Sequence, residues 1–490
     1  MEFNLQKQHA KGKLHAYERI MALFDANSFC SMTPPDDRYD GVLCGYGLVL
    51  GKKVFCVSQD FTFKGGTLGE QHGDTIVYML KKAIEEKCPF ISINDSGGAR
   101  IQEGINALAK YGEIFYYNTL ASGYIPQISV IVGPCAGGAV YSPGITDFVF
   151  VVDGISQMFV TGPGVVKSVT HENVAAEELG GAKIHSSVSG VSHFLYSNEN
   201  ECFEGVRALI DTLPLNNSTS PYNNYVKETF KLFGKTTETE SLEGIIPQQL
   251  NKAYDVKKII NRVFDVNSFI EVEALYAANI VVGFAKLSGI TIGCIANQPS
   301  QMAGVLDCNT SDKAARFVRF CDAFNIPLIS FTDVPGYLPG IDQERQGIIR
   351  HGAKLLYAFS EASVPRINVI LRKAYGGAYI AMNSCHIGAD KVFAWPSAQV
   401  AVMGAEGAVQ ILYAKDAAAM SQNEKKLFFK EKEDEYVRKF GNYNIALERG
   451  YIDEVIKPDD TRKHLIKVVL ELENKVPKDK IVKKHGNIPL

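Results

Sequence analysis

The chain has 490 residues carrying 51 basic and 54 acidic side chains, a formal net charge of −3. That near-balance excludes a global field that would draw it to nucleic acid or to an anionic membrane surface. Its ten cysteines are scattered without a C-x-x-C pair or a metal-like Cys/His spacing, so neither a disulfide framework nor a metal site is expected.

The length suggests about three average domains, but an internal repeat favours two large ones. The N-terminal stretch has no apolar signal core and is not the Arg- and Ser-rich kind of a transit peptide. Apolar runs elsewhere are broken by Gly, Pro or polar residues before they could span a bilayer. A soluble, cytoplasmic protein without membrane insertion of its own is expected.

In chain order, an amphipathic helix around residues 18–24 is stopped by Asp25-Ala26-Asn27, and it returns 240 positions on, stopped by Asp265-Val266-Asn267. Gly45, Gly51 and Cys56 recur as Gly283, Gly289 and Cys294, which predicts a hairpin with a tight turn opening each half. A helix comes after it, marked by Ile76, Leu80 and Ala83 and by Phe317, Phe320 and Phe324. Each leads into a buried-looking strand, 90–93 and 328–331, which ends near Asp95 and Asp333.

Next comes a glycine-bearing loop. In the first half it runs Asn94-Asp95-Ser96-Gly97-Gly98-Ala99-Arg100-Ile101-Gln102-Glu103-Gly104, in the second Thr332-Asp333-Val334-Pro335-Gly336-Tyr337-Leu338-Pro339-Gly340. Apolar runs at 128–132 and 367–371 then lead to Ala136-Gly137-Gly138-Ala139 and Tyr375-Gly376-Gly377-Ala378. Between the halves, Pro214 to about Gly244 is rich in Asn, Ser, Thr and Lys and reads as a linker. The expected domains are 1–233 and 234–490.

Each half is therefore an α/β domain. Paired glycines after a strand let backbone N–H groups turn outward with no Cβ in the way, and a helix that starts there adds its positive end. Ligands in open α/β sheets gather beyond the strand ends, where such loops lie. Two such turns mean two sites for negative oxygens.

These motifs resemble the carboxyltransferase subunits of biotin-dependent acyl-CoA carboxylases, decarboxylases and transcarboxylases. The resemblance covers nearly the whole chain and includes Gly65-Gly66-Thr67-Leu68-Gly69-Glu70, residues 93–104, Glu177-Glu178-Leu179-Gly180-Gly181-Ala182, Arg350-His351-Gly352-Ala353-Lys354, Ala394-Trp395-Pro396-Ser397 and the ending Lys484-His485-Gly486-Asn487-Ile488-Pro489-Leu490. It implies a duplicated crotonase-like (ClpP/crotonase) fold, with acyl-CoA held by the first half and biotin by the second half of a partner subunit. It also implies a homohexamer built as a trimer of dimers.

Carried over position by position, Gly137 and Gly138 would hold one oxyanion, Gly377 and Ala378 the other. The thioester oxygen is assigned to the first pair and the biotin ureido oxygen to the second, and the reverse assignment stays open. Gly97, Gly98, Ala99, Arg100, Ile101 and Ile380 fall to acyl-CoA by the same resemblance, and Gly336, Tyr337 and Gly376 to biotin. No metal is implied. Carboxyl transfer between biotin and a thioester α-carbon passes through an enolate and a ureido anion, which need fixed N–H donors; one such donor contributes ~2.7–4 kcal/mol.

No Met-Lys-Met biotinylation site and no ATP-grasp half are present in the sequence, so biotin is expected on a separate carrier protein. A biotin carboxylase subunit or membrane decarboxylase subunits are the further partners expected. Propionyl-CoA/methylmalonyl-CoA is the expected substrate pair, with acetyl-CoA/malonyl-CoA carboxylation or a sodium-pumping decarboxylase as alternatives. The run Tyr379-Ile380-Ala381-Met382, followed by Gly388-Ala389-Asp390-Lys391-Val392, looks more like methylmalonyl-CoA decarboxylases and transcarboxylases than like the mitochondrial propionyl enzyme. Rivals of another class are a crotonase-type hydratase or isomerase, which would need paired carboxylates such as Glu70 and Glu103, and a non-catalytic acyl-CoA-binding scaffold.

Other residues read more plainly. Cys135 lacks a Cys-His-Asn setting and is expected to pack. His171, His185 and His351 lie in no metal-ligand array and are expected to be structural. For Arg100 a salt bridge and an anion contact both stay open, and the basic run 478–484 is expected to be a solvated tail.

Overall fold

The computed structural model describes residues 5–222, 240–476, 481 and 483–489. Two compact units divide the chain: Met1–Ser220 with Glu273–Tyr276, and Pro221–Val272 with Ala277–Leu490. The expected boundary at 233/234 lies outside the described residues, as do positions 478–480 and 482 of the basic tail.

The first unit holds β1 (Cys30–Ser31), β2 (Val42–Val49), β3 (Lys52–Gln59), β4 (Phe90–Ser96), β5 (Gln127–Ala136), β6 (Phe148–Val152), β7 (Gln157–Phe159) and β8 (Phe194–Tyr196). They form one sheet in the order β1-β2-β3-β4-β5-β6-β8, with β7 beside β5. The first three strands pair antiparallel and the rest parallel.

The second unit repeats this with β9 (Ile270–Val272), β10 (Ile280–Leu287), β11 (Ile290–Asn297), β12 (Leu328–Val334), β13 (Arg366–Tyr375), β14 (Lys391–Ala394), β15 (Gln399–Ala401) and β16 (Glu454–Val455). Its order is β9-β10-β11-β12-β13-β14-β16, with β15 beside β13. Strands β4 and β12 are buried along their whole length, as parallel strands covered on both faces should be.

The recurring residues have a shared physical cause. Gly45 faces Cys56 across β2 and β3, and Gly283 faces Cys294 across β10 and β11. A Cβ at Gly45 would lie 2.7 Å from the Phe29 ring, and one at Gly283 would lie 2.7 Å from the Phe269 ring. Each hairpin is closed by two residues with positive φ, Leu50-Gly51 (49° and 78°) and Ser288-Gly289 (51° and 82°), the geometry of a type I′ turn.

The aspartate that stops each opening helix also ties down that turn. Asp25 accepts from Leu50 N and Gly51 N at 3.0 Å each and pairs with Arg207 at 2.7 Å. Asp265 accepts from Ser288 N at 3.0 Å and Gly289 N at 2.8 Å and pairs with Arg462 at 2.6 Å.

The helices Glu70–Glu86 and Cys308–Ala323 connect β3 to β4 and β11 to β12. Their expected inward residues, Ile76, Leu80, Ala83, Phe317 and Phe320, are buried, as is Phe324 just beyond the second. Glu70–Glu86 ends at Lys87, which takes the left-handed conformation at φ 55°.

Candidate active site

Each unit places its glycine turn by the same break in strand pairing. On β4 and β5 the partners run Asn94 to Ile131, then Ser96 to Cys135; on β12 and β13 they run Thr332 to Ile370, then Val334 to Ala374. Two extra residues therefore bulge from β5 and from β13 just before the turn. Bulges of this kind re-aim the chain beyond them.

Immediately past the strand ends lie Gly137 at φ 61° and Gly376 at φ 59°, a left-handed backbone that needs glycine. Gly137 opens the turn Gly137–Val140, and Gly376 opens the helix Gly376–Ala381. The first N–H groups of such turns have no acceptor within the helix itself. By conformation Gly376 matches Gly137, so Gly377 matches Gly138. The two expected pairs, Gly137 with Gly138 and Gly377 with Ala378, are one residue out of step, and Ala378 is fully buried.

In the first unit the loop and the turn come together. Leu68 N donates to Gly98 O and Arg100 N to Leu68 O, both at 2.9 Å, while Gly97 N donates to Gly65 O at 3.0 Å. These bonds draw residues 97–100 into a bridge between Leu68 and Ala99. Gly98, at φ 99°, lies so close to the end of β5 that a Cβ would stand 2.8 Å from Ala136 O. Gly98 therefore adjoins the start of the turn that Gly137 opens.

Arg100 is turned inward. It is 6% exposed, with Nη1 2.8 Å from both Asp40 carboxylate oxygens and 2.7 Å from Glu103, and Nη2 2.8 Å from Thr67 O. Its guanidinium braces the loop from within. Ile101, the next residue, is 88% exposed.

The second unit contains a pocket of 720 Å³ lined by Gly376, Gly377, Tyr379, Ile380, His386 and residues 400–402, with Tyr436 and Phe440 from the helix Gln422–Phe440. Its wall is largely apolar. A Cβ at Gly377 would meet nothing within 4 Å. The Tyr379 hydroxyl, 3.5 Å from His386 Nε2, is pushed well above its ordinary pKa by burial. Gly336 and Tyr337 are not on this wall. They form the counterpart of the first loop: Leu306 N donates to Gly336 O at 3.1 Å, Leu306 bridges Tyr337, and burial pushes the Tyr337 hydroxyl up to about 12.

A buried ion pair that sequence reasoning missed stands under this turn. Asp333 accepts from Tyr254 Oη and Arg372 Nε at 2.9 Å each and from Lys373 N at 3.1 Å. Its signal was present in the recurrence of Asp95 as Asp333; the partners were not, because Tyr254 lies far away in the chain.

The remaining residues do no site chemistry that the geometry shows. Cys135 is fully buried and its thiol is pushed up to about 12 by burial. His185 lies 2.7 Å from Met158 O and His351 2.7 Å from Asp312, while His171 caps a helix at φ 63°. Among the described residues no group of three or more His, Cys, Asp or Glu could hold a metal, and no helix is long and apolar enough to cross a membrane.

Two α/β units, each ending a bulged strand in a glycine turn, form a duplicated crotonase-like fold. The sequence profile of the carboxyl transferase domain matches residues 7–488, and the chain belongs to that family. It is a carboxyltransferase of the biotin-dependent acyl-CoA carboxylase type.

The methylmalonyl-CoA decarboxylase subunit alpha of Veillonella parvula is 49% identical over 507 residues, covering 100% of this chain and 96% of that protein. The propionyl-CoA carboxylase beta chain of Saccharopolyspora erythraea is 49% identical over 505 residues, covering 99% and 92%. Among solved structures, hexameric transcarboxylase 12S with hydrolysed methylmalonyl-coenzyme A bound matches with a TM-score of 0.91 at 44% identity, over 99% of this chain and 95% of that one.

Proposed function

We propose that the chain moves a carboxyl group between biotin, borne on a separate carrier protein, and the α-carbon of propionyl-CoA/methylmalonyl-CoA. The observation that carries this reading is the duplicated bulge and glycine turn, which offers one set of backbone donors to each of two anions. The first unit takes the acyl-CoA, with Gly137 and Gly138 facing the thioester oxygen and residues 97–101 beside it. The second takes biotin, with Gly376, Gly377 and Ala378 at the ureido oxygen.

The second turn fits that group. Open space stands where a Cβ at Gly377 would go, and the adjoining 720 Å³ pocket has apolar and aromatic walls suited to a fused bicyclic ring. Biotin supplies the carboxyl group and, once free of it, the base that takes the α-proton. The chain's own part is to hold fixed N–H donors where charge develops and to keep both reactants oriented, which is worth up to ~7–11 kcal/mol when geometry is good.

Transcarboxylase 12S is a hexamer, and a homohexamer is the assembly we infer here, each site completed by a neighbouring copy. Partner subunits that load or unload biotin set the direction of the reaction. A hydratase reading is weaker, because Glu103 is held by Arg100 at 2.7 Å and by Glu70 N at 2.6 Å.

Incubating the purified protein with methylmalonyl-CoA and free biotin tests the proposal. Biotin-dependent consumption of the acyl-CoA is expected; hydration or isomerisation of an enoyl-CoA, or binding without turnover, would overturn it.

Ile380 lines the pocket and is 37% exposed, unlike a core residue. Where the acyl group held by a neighbouring copy reaches biotin, this apolar side chain would form the floor beneath it and favour propionyl over acetyl, by ~1–3 kcal/mol for one methylene. Ile380→Asp is expected to shift the ratio of kcat/KM among acetyl-, propionyl- and butyryl-CoA by about tenfold or more. A constant ratio with a lowered Tm would return Ile380 to the core.

A further inference from the structure

Both glycine turns hang from a two-residue bulge opposite a buried aspartate, but the two bulges are held differently. In the second unit the bulge holds itself: Lys373 N donates to Asp333 Oδ1 at 3.1 Å and Arg372 Nε to Oδ2 at 2.9 Å. The matching positions of the first unit are Gly133 and Pro134. Glycine brings no cation, and proline has no N–H. Asp95 Oδ1, on a side chain with 0% exposure, is accordingly left without a hydrogen-bond partner.

The missing charge arrives from the N-terminal segment. Lys13 Nζ lies 2.6 Å and Arg19 Nη1 2.9 Å from Asp95 Oδ2. Arg19 Nη2 also donates to Val132 O at 3.0 Å, the carbonyl where the bulge begins, and its Nε donates to Glu199 at 2.7 Å. Gly133 is required by this arrangement, since a Cβ there would overlap Asp95 Oδ1 and crowd the Lys13 ammonium.

We propose that Lys13 and Arg19 are positioning residues of carboxyl transfer: through Asp95 and the Val132 carbonyl they fix the bulge from which Gly137 and Gly138 present their N–H groups. The inference rests on reading that turn as the cradle for the thioester oxygen. A donor pair displaced by a fraction of an ångström misses the oxygen on which charge develops while the rest of the acyl-CoA keeps its contacts, so kcat falls and binding does not.

The test compares Lys13→Met, Lys13→Arg and Arg19→Lys in the assembled full-length protein, with methylmalonyl-CoA and free biotin. Lys13→Met is expected to lower kcat about 10–100-fold, with KM and the calorimetric Kd for methylmalonyl-CoA within about threefold of wild type. Lys13→Arg should return most of the loss. Arg19→Lys keeps the charge but cannot span both acceptors, and should lower kcat with the same unchanged Kd.

Wild-type kcat in Lys13→Met and Arg19→Lys, or a kcat loss matched by an equal rise in Kd, overturns the inference. If Lys13→Met does not assemble, Arg19→Lys decides alone. Gly138→Val separates the two readings: full turnover there fails the cradle and this inference together. Lost turnover there with full turnover in the other variants fails this inference only.

Discussion

Gly377→Val is expected to cut carboxyl transfer by about 10²–10³-fold, the loss seen when an oxyanion donor is removed, while leaving assembly and Tm near wild type. The separation of the two effects comes from local geometry. A Cβ at Gly377 would meet nothing within 4 Å, and its φ lies outside the left-handed region, so the fold accepts a side chain there. The same side chain would enter the pocket that Gly377 lines, beside the N–H proposed for the ureido oxygen.

Gly376 makes the contrasting case, because its φ of 59° and the 3.1 Å between a Cβ and Val402 O would strain the backbone itself. Turnover per assembled protomer with free biotin, alongside thermal melting, checks the expectation. Unchanged turnover in a correctly assembled Gly377→Val protein would remove the second turn from the chemistry.

The second large effect is on stability. Arg372→Met is expected to cost about 3–5 kcal/mol, because it strands the carboxylate of Asp333 in the interior. Asp333 and Arg372 are 1% and 2% exposed, their polar atoms lie 2.9 Å apart, and the guanidinium also donates to Lys252 O at 2.9 Å. Tyr254, whose ring lies 5.0 Å from the guanidinium carbon, would lose its cation as well.

Adding Asp333→Asn to Arg372→Met should recover much of the loss, since a neutral amide is far cheaper to bury than a lone charge. Denaturant midpoints of the two single variants and the double variant measure the coupling. Additive losses would mean that the pair does not act as a unit.

Much of this was legible beforehand because it is written in local spacing. Gly45, Gly51 and Cys56, repeated 238 positions later, encode cross-strand partners and a turn that any chain with those residues must make in much the same way. The apolar spacing of Ile76, Leu80 and Ala83 names the inward face of its helix without reference to the partner strand. Paired glycines after an apolar run announced the turns, because the left-handed backbone at Gly137 and Gly376 is one that other residues resist.

The hidden part depends on contacts across the fold. Arg100 read equally well as an anion contact or a salt bridge, and only the approach of Asp40, sixty positions earlier, turns it inward. Nothing in the spacing of Lys13 and Arg19 points to Asp95, since an ion pair is chosen by distance in space and not along the chain. Nor did the sequence reveal that Tyr436 and Phe440 would join Ile380 around one pocket.

Taken alone, the sequence determined the duplication, the α/β elements and the places of the two turns, because backbone preference and apolar period act over a few residues. The tertiary structure decided which charges meet, where strands β5 and β13 bulge and which side chains gather around the pocket beside Gly377. Those outcomes are set by burial, where an unpaired charge costs far more than it does in water, and burial exists only once the chain has folded.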